Sequence, residues 1–125
     1  MNARSQAKIL VVDDEIGFTR LLKIAAANYE IRTVNDPVQA VEAALEFEPD
    51  IVFLDRIMPK MSGEDLGAAF QAHPRLSKIP IAIVTGSPPK GSAGKFASHL
   101  NGWPVLSKPV SIRAINECVE RLLGG

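Results

Sequence analysis

Apolar residues fall along this chain in two alternating textures, short unbroken runs and longer stretches with helical spacing. Ile9 to Val12, Ile51 to Leu54 and Ile81 to Val84 are apolar at every position, and Val105 with Leu106 makes a shorter run near the end. Each is too short for a helix, and runs without polar alternation suit parallel strands covered on both faces. Tyr29 to Val34 is a further strand candidate, but Glu30 and Arg32 interrupt it, which predicts a sheet edge.

Between the runs the period changes. Phe18, Leu21, Leu22 and Ala25 stand at i, i+3, i+4 and i+7 and predict a first helix with these residues on its inner face. Val38, Val41 and Leu45 predict a second, capped by Asp36 and opened by Pro37. Leu66, Ala69, Phe70 and His73 mark a third, with a capping box from Ser62 to Asp65 ahead of it. Ser111 caps a last helix that turns Ile112, Ile115, Val119 and Leu122 inward, and Gly124 ends it. The stretch from Gly86 to Pro104 breaks the pattern, because Pro88, Pro89, Gly91, Gly94, Gly102 and Pro104 are poorly suited to a helix interior. A fourth helix is therefore expected to be short or irregular, within Ala93 to Leu100.

Strand and helix alternating five times predict an α/β, flavodoxin-like (βα)5 domain, a doubly wound five-stranded parallel sheet with right-handed crossovers. The polar second strand and the short fifth are the natural edges, giving the strand order 2-1-3-4-5. With 125 residues, 46% hydrophobic and 22% charged, one domain over residues 1–125 is expected, its core spanning about 7–123. Fourteen basic and fourteen acidic residues cancel, which removes the electrostatic footprint of a nucleic-acid or membrane-surface binder. Cys118 stands alone, so no intrachain disulfide forms, and it reads as a small core residue. Met1 to Lys8 is polar and the apolar run after it is too short for a signal peptide or membrane span, so a cytoplasmic location is expected.

Parallel sheets bind ligands at the carboxyl ends of their strands. The residues that end the apolar runs here are Asp13 and Asp14, Asp55, Thr85 and Lys108. Adjacent strands lie about 4.8 Å apart, so neighbouring first and third strands would bring three carboxylates together. At about 4 Å and an effective dielectric near 20, each like-charge pair repels by roughly 4 kcal/mol. A hard dication with oxygen ligands relieves this better than a lysine alone, and Mg²⁺ is the natural choice. Asp55 can then act as a nucleophile on phosphorus, with charge on the phosphoryl oxygens offset by metal, ammonium and hydroxyl. Plainer uses exist for each residue: Asp13 or Asp14 as a helix cap, Asp55 as an acceptor for loop donors, Thr85 as a strand residue, Lys108 as a solvated cation. His73 and His99 are read as structural, and Trp103 as loop packing.

The segments ILVVDDE at 9–15, PDIVFLDRIMPKMSG at 49–63, IAIVTG at 81–86 and LSKP at 106–109 resemble the receiver domains of bacterial response regulators. The resemblance covers nearly the whole chain. It implies that Asp55 accepts a phosphoryl group from a histidine kinase or phosphotransfer protein. It further implies that Asp13, Asp14, Asp55 and the backbone carbonyl of Ile57 hold Mg²⁺, with Asp14 a direct ligand. Thr85 and Lys108 would contact the phosphoryl oxygens, the Lys108 to Pro109 bond would be cis, and Met58, Pro59 and Gly63 match the turn into the third helix.

One position departs from the family pattern. Three residues before the lysine, where receivers usually carry Tyr or Phe, stands Val105, which has no ring to swing and is stiff at its single torsion. An atypical switch is expected, with phosphorylation ordering the segment from Gly86 to Gly102 in place of the aromatic relay. The partner face implied by the family is that of the fourth helix, fifth strand and fifth helix, engaging a downstream protein or a second copy. No DNA-binding sequence follows Leu123, so the chain is not expected to be by itself a transcription factor of the usual regulator design. A stand-alone receiver, a phosphate relay or sink and one piece of a larger protein all stay open, and the domain is expected to assist only its own phosphorylation and dephosphorylation. Two other functions stay open: an interaction module indifferent to phosphate, and a Mg²⁺-dependent aspartyl-phosphate hydrolase, for which Ile57 is the wrong residue two positions after the nucleophile.

Overall fold

A computed structural model describes residues 7–86 and 99–124. In chain order the elements are β1 (Lys8–Val12), α1 (Ile16–Ala25), β2 (Glu30–Val34), a 3₁₀ turn (Pro37–Gln39), α2 (Ala40–Phe47), β3 (Ile51–Leu54), α3 (Gly63–Ala72), β4 (Ile81–Thr85), β5 (His99–Leu100), β6 (Trp103–Ser107) and α4 (Ile112–Leu122). The sheet order is β2-β1-β3-β4-β6-β5. Its five parallel strands follow the expected flavodoxin-like order, with β6 as the fifth.

Apolar runs without alternation are explained by two-sided burial. Leu10, Val12, Val52, Leu54, Ile81 and Ile83 face a core that includes Leu66, Phe70 and Trp103. Ile9, Val11, Ile51, Phe53, Ala82 and Val84 face the opposite core, with Leu22, Ile115 and Val119. Cys118 lies in that second core as a small apolar group, and burial pushes its thiol up to about 11.

Several expectations are corrected. The fifth parallel strand is five residues long and is not the sheet's outer edge, because His99–Leu100 pairs with it antiparallel. Asn101 and Gly102 link the two strands with φ of 53° and 83°. Positive φ at both central residues is what a two-residue hairpin turn needs, and Asn-Gly supplies it at low cost. The short helix expected over Ala93 to Leu100 falls mainly outside the described residues, and its last two positions are strand. Pro104 lies within β6, opposite His99, on the short-hairpin side of the sheet.

The helix caps match expectation better than the helix faces. Ser62 accepts from Asp65 N–H at 3.1 Å, and Ser111 accepts from Ala114 N–H at 3.0 Å. Asp36 caps the 3₁₀ turn rather than α2 itself. On α1, Thr19 and Leu22 are the buried residues, while Leu21 is 69% exposed; on α2, Ala40, Ala44 and Phe47 turn inward and Val38 is 60% exposed. Val38 lies in the Pro37 turn and stays exposed, while Val41 and Leu45 of the same stripe are partly buried against the core.

Candidate functional site

Strand register builds the site. Val12 pairs with Leu54, so Asp13 and Asp55 follow side by side, and Asp55 N–H donates to Val12 O at 2.9 Å. Thr85 pairs with Ser107, and Lys108 N–H donates to Thr85 O at 2.9 Å, which delivers the lysine to the same edge. The Lys108 to Pro109 peptide is cis, as the resemblance implies. Asn35, just past β2, donates to Asp13 O at 2.8 Å and to Thr19 Oγ1 at 3.2 Å, tying the acidic loop to α1.

The third wall depends on one glycine. A Cβ at Gly63 would lie 2.2 Å from the Asp55 carbonyl oxygen, so the first residue of α3 must lack a side chain for the helix to approach this strand end. Its N–H donates to Arg56 O at 2.9 Å, closing the turn through Met58 and Pro59.

Asp14, Glu15, Asp55, Ile57, Thr85 and Gly86 line a recess of about 220 Å³ at this edge. At the same edge the Lys108 ammonium lies 2.6 Å from Asp13 Oδ2, 2.5 Å from Glu15 Oε1 and 3.7 Å from Asp55 Oδ2. Carboxylate oxygens of Asp13, Glu15 and Asp55 gather within 4.8 Å of one another. Asp14 stands in the recess wall, outside that trio. Asp13 is 1% exposed, and burial pushes its carboxyl up to about 6, against the opposing pull of Lys108. For Lys108, burial works against the charge, yet the adjacent Asp13 and Glu15 carboxylates outweigh it and raise the ammonium above its usual range. Asp13 Oδ2, although close to the ammonium, makes no well-directed hydrogen bond. An under-satisfied buried oxygen among converging carboxylates fits a hard dication with oxygen ligands.

The sequence reading thus brought Asp13, Asp14, Asp55, Thr85 and Lys108 to one edge, as the structure does, and left Glu15 without a role. Its signal was present in the DDE that ends β1. Neither His73 nor His99 lines the recess: His73 Nδ1 accepts from Arg75 N–H, and His99 sits in β5. Trp103 packs as a core residue, its ring against Gly67 of α3. A larger recess of about 310 Å³, whose wall includes Glu48, Pro49 and Arg75, gathers none of the strand-end groups.

A parallel sheet that collects carboxylates, a threonine and a lysine at its carboxyl edge defines a class of α/β domain that handles a charged ligand there. The comparisons narrow that class. Residues 9–120 match the family model described as response regulator receiver domain. Response regulator PleD of Caulobacter vibrioides is 37% identical over 87 residues, 68% of this chain and 19% of that protein. A probable cyclic di-GMP phosphodiesterase of Vibrio cholerae is 32% identical over 122 residues, 96% of this chain and 27% of that protein. The solved structure of Vibrio cholerae chemotaxis protein CheY4 superposes with a TM-score of 0.79 at 25% identity, covering 94% of this chain and 99% of that one.

The chain belongs to the response regulator receiver domain family of two-component signalling. It spans from 19% to 48% of the length of these and other curated relatives. Among the described residues no helix is long and apolar enough to cross a membrane.

Proposed function

We propose that Asp55 is the phosphoacceptor of this receiver and that phosphorylation changes its affinity for a protein partner. The observation that carries the proposal is a partly buried ammonium, Lys108, within ion-pair distance of both the Asp13 and the Asp55 carboxylates at the edge where Asp55 and Thr85 line an open recess. An Asp55 oxygen attacks the phosphorus of a phosphohistidine on a kinase or phosphotransfer protein. The new P–O bond forms in line as the P–N bond breaks, and the leaving imidazole nitrogen keeps the bonding pair and takes up a proton.

Lys108 and the Thr85 hydroxyl serve the phosphoryl oxygens, where donors fixed in advance stabilise developing charge at little reorganisation cost. Asp13, Asp14, Asp55 and the Ile57 carbonyl would hold Mg²⁺. Bound there, the ion supplies charge neutralisation for the transferring group. The domain in this reading assists its own phosphorylation and dephosphorylation and transforms no separate substrate.

The switch is atypical. Val105 is half-buried on β6 and has no ring to rotate. Trp103, on the same face two residues earlier, lies against Gly67 where a single added carbon would come within 2.2 Å of its ring. A ring held so closely has no room for the swing an aromatic relay needs. Output is then carried by the β4–β6 flank with α4, toward a downstream protein or a second copy, and by the segment after Gly86, most of which lies outside the described residues.

The test is incubation with Mg²⁺ and acetyl phosphate, followed by intact mass. A gain of one phosphoryl group in the wild type and none in Asp55→Asn is the expected result, and equal gain in both would overturn the assignment.

A further inference from the structure

We infer that Glu15 is a movable counter-ion for Lys108, holding the ammonium in the unphosphorylated domain and releasing it when a phosphoryl group arrives on Asp55. This deepens the function proposed above and rests on it.

Position is the first argument. Glu15 is the N-cap of α1, a place that favours a side chain bonding back to its own helix. Its side chain makes no such bond, and α1 has no acidic residue in its first turn. The carboxylate reaches across the site instead and accepts a hydrogen bond from Lys108, 93 residues away in sequence, at 2.5 Å.

Mobility is the second. Side-chain exposure is 1% for Asp13 and 7% for Asp55, against 62% for Glu15. Of the three carboxylates around the ammonium, Glu15 alone has solvent to move into. Its backbone is pinned, because Glu15 N–H donates to Asp13 Oδ1 at 2.9 Å and its carbonyl accepts from Thr19 N–H at 3.1 Å. Motion is therefore confined to the side chain.

Competition is the third. An ammonium has three donors. Glu15 and Asp13 are its nearest anions, the Phe18 ring covers another side at 4.3 Å, and Asp55 Oδ2 at 3.7 Å lies beyond hydrogen-bond reach. A phosphoryl oxygen on Asp55 competes with these anions for Lys108, and Glu15 is the one with solvent to move into. Glu15 so sets how readily the domain takes up its phosphoryl group.

The experiment uses the full chain and two variants. Glu15→Gln removes the charge and keeps the shape, whereas Glu15→Asp keeps the charge and draws it back by one carbon–carbon bond, about 1.5 Å. Beryllofluoride is titrated at saturating Mg²⁺, and the rate of reductive methylation at Lys108 is read by peptide mass with neither ligand present. Both variants are expected to bind beryllofluoride about threefold to fivefold more tightly than wild type and to methylate Lys108 about threefold faster, the size of a partly exposed ion pair. Tighter binding in Glu15→Asp but not in Glu15→Gln would show that the charge plays no part and overturn the counter-ion role. Weaker binding in both would make Glu15 a metal-holding group, and unchanged binding would leave it idle; either overturns the inference. Should no form bind beryllofluoride, wild type included, the assignment of Asp55 fails on its own, and equal methylation rates in all three proteins would then dismiss Glu15 as well.

Discussion

The carboxyl edge and the β6 flank share strands of one sheet but are held together differently. At the edge, groups from β1, β3, β4 and the loop after β6 meet through strand register, and their charges are mutually dependent. On the flank, a two-residue turn at Asn101 and Gly102 and a ring laid on Gly67 set the shape locally. In the proposed reading chemistry and output are therefore separable: the first would depend on where strands end, the second on contacts that can be altered without moving those ends.

Two glycines sharpen that separation. Gly63→Ala is expected to cost the most, about 3 kcal/mol, because its Cβ would meet backbone rather than a side chain that can turn aside. Denaturant unfolding measures the loss, and phosphoryl uptake by Asp55 should fall with it. Gly67→Ala would press on the Trp103 ring and cost about 2 kcal/mol, shifting the emission of the protein's single tryptophan while leaving uptake at Asp55 nearly intact. Loss of uptake in Gly67→Ala would break the comparison, since the flank would then govern the chemistry.

Acidity probes the edge alone. With the Asp13 carboxyl at about 6, magnesium must displace a proton at pH 5 but hardly at pH 7. Affinity is expected to fall about tenfold between the two, following one proton, and a flat response would remove Asp13 from the ion's ligands. In the metal-free domain the sign reverses. The fold binds this proton more tightly than the unfolded chain, so the contribution is full below the unfolded value of 3.8 and is lost as pH rises through about 6. Unfolding midpoints without magnesium should reflect that loss.

The smallest effect is kinetic. Ile57 is 61% exposed at the rim of the recess, where its side chain would hinder a water approaching the proposed acyl phosphate on Asp55. Ile57→Asn is expected to shorten the phosphorylated lifetime about threefold, followed by intact mass over time. A longer lifetime would contradict the role.

Legibility followed the same division. β1, β3 and β4 were readable because burial on both faces leaves unbroken apolar runs, and Asp13, Asp55, Thr85 and Lys108 were readable because they end those runs. Glu15 was not, since its partner is set by the closure of the whole sheet rather than by neighbours in sequence. The hairpin was missed for a different reason: Asn101 and Gly102 carry the strongest short turn signal in the segment, but among so many prolines and glycines they were read as part of a loop. Helix faces failed at Leu21 and Val38, where apolar residues stay exposed and spacing alone misassigns the inner side.

The central claim is that charges at the strand ends form one phosphoryl-accepting unit. Its most direct measurement is the structure of this chain crystallised with magnesium and beryllofluoride. Beryllium is expected on an Asp55 oxygen with Lys108 and Thr85 turned to the fluorines; a recess without the ligand, or Lys108 directed elsewhere, would rule the unit out.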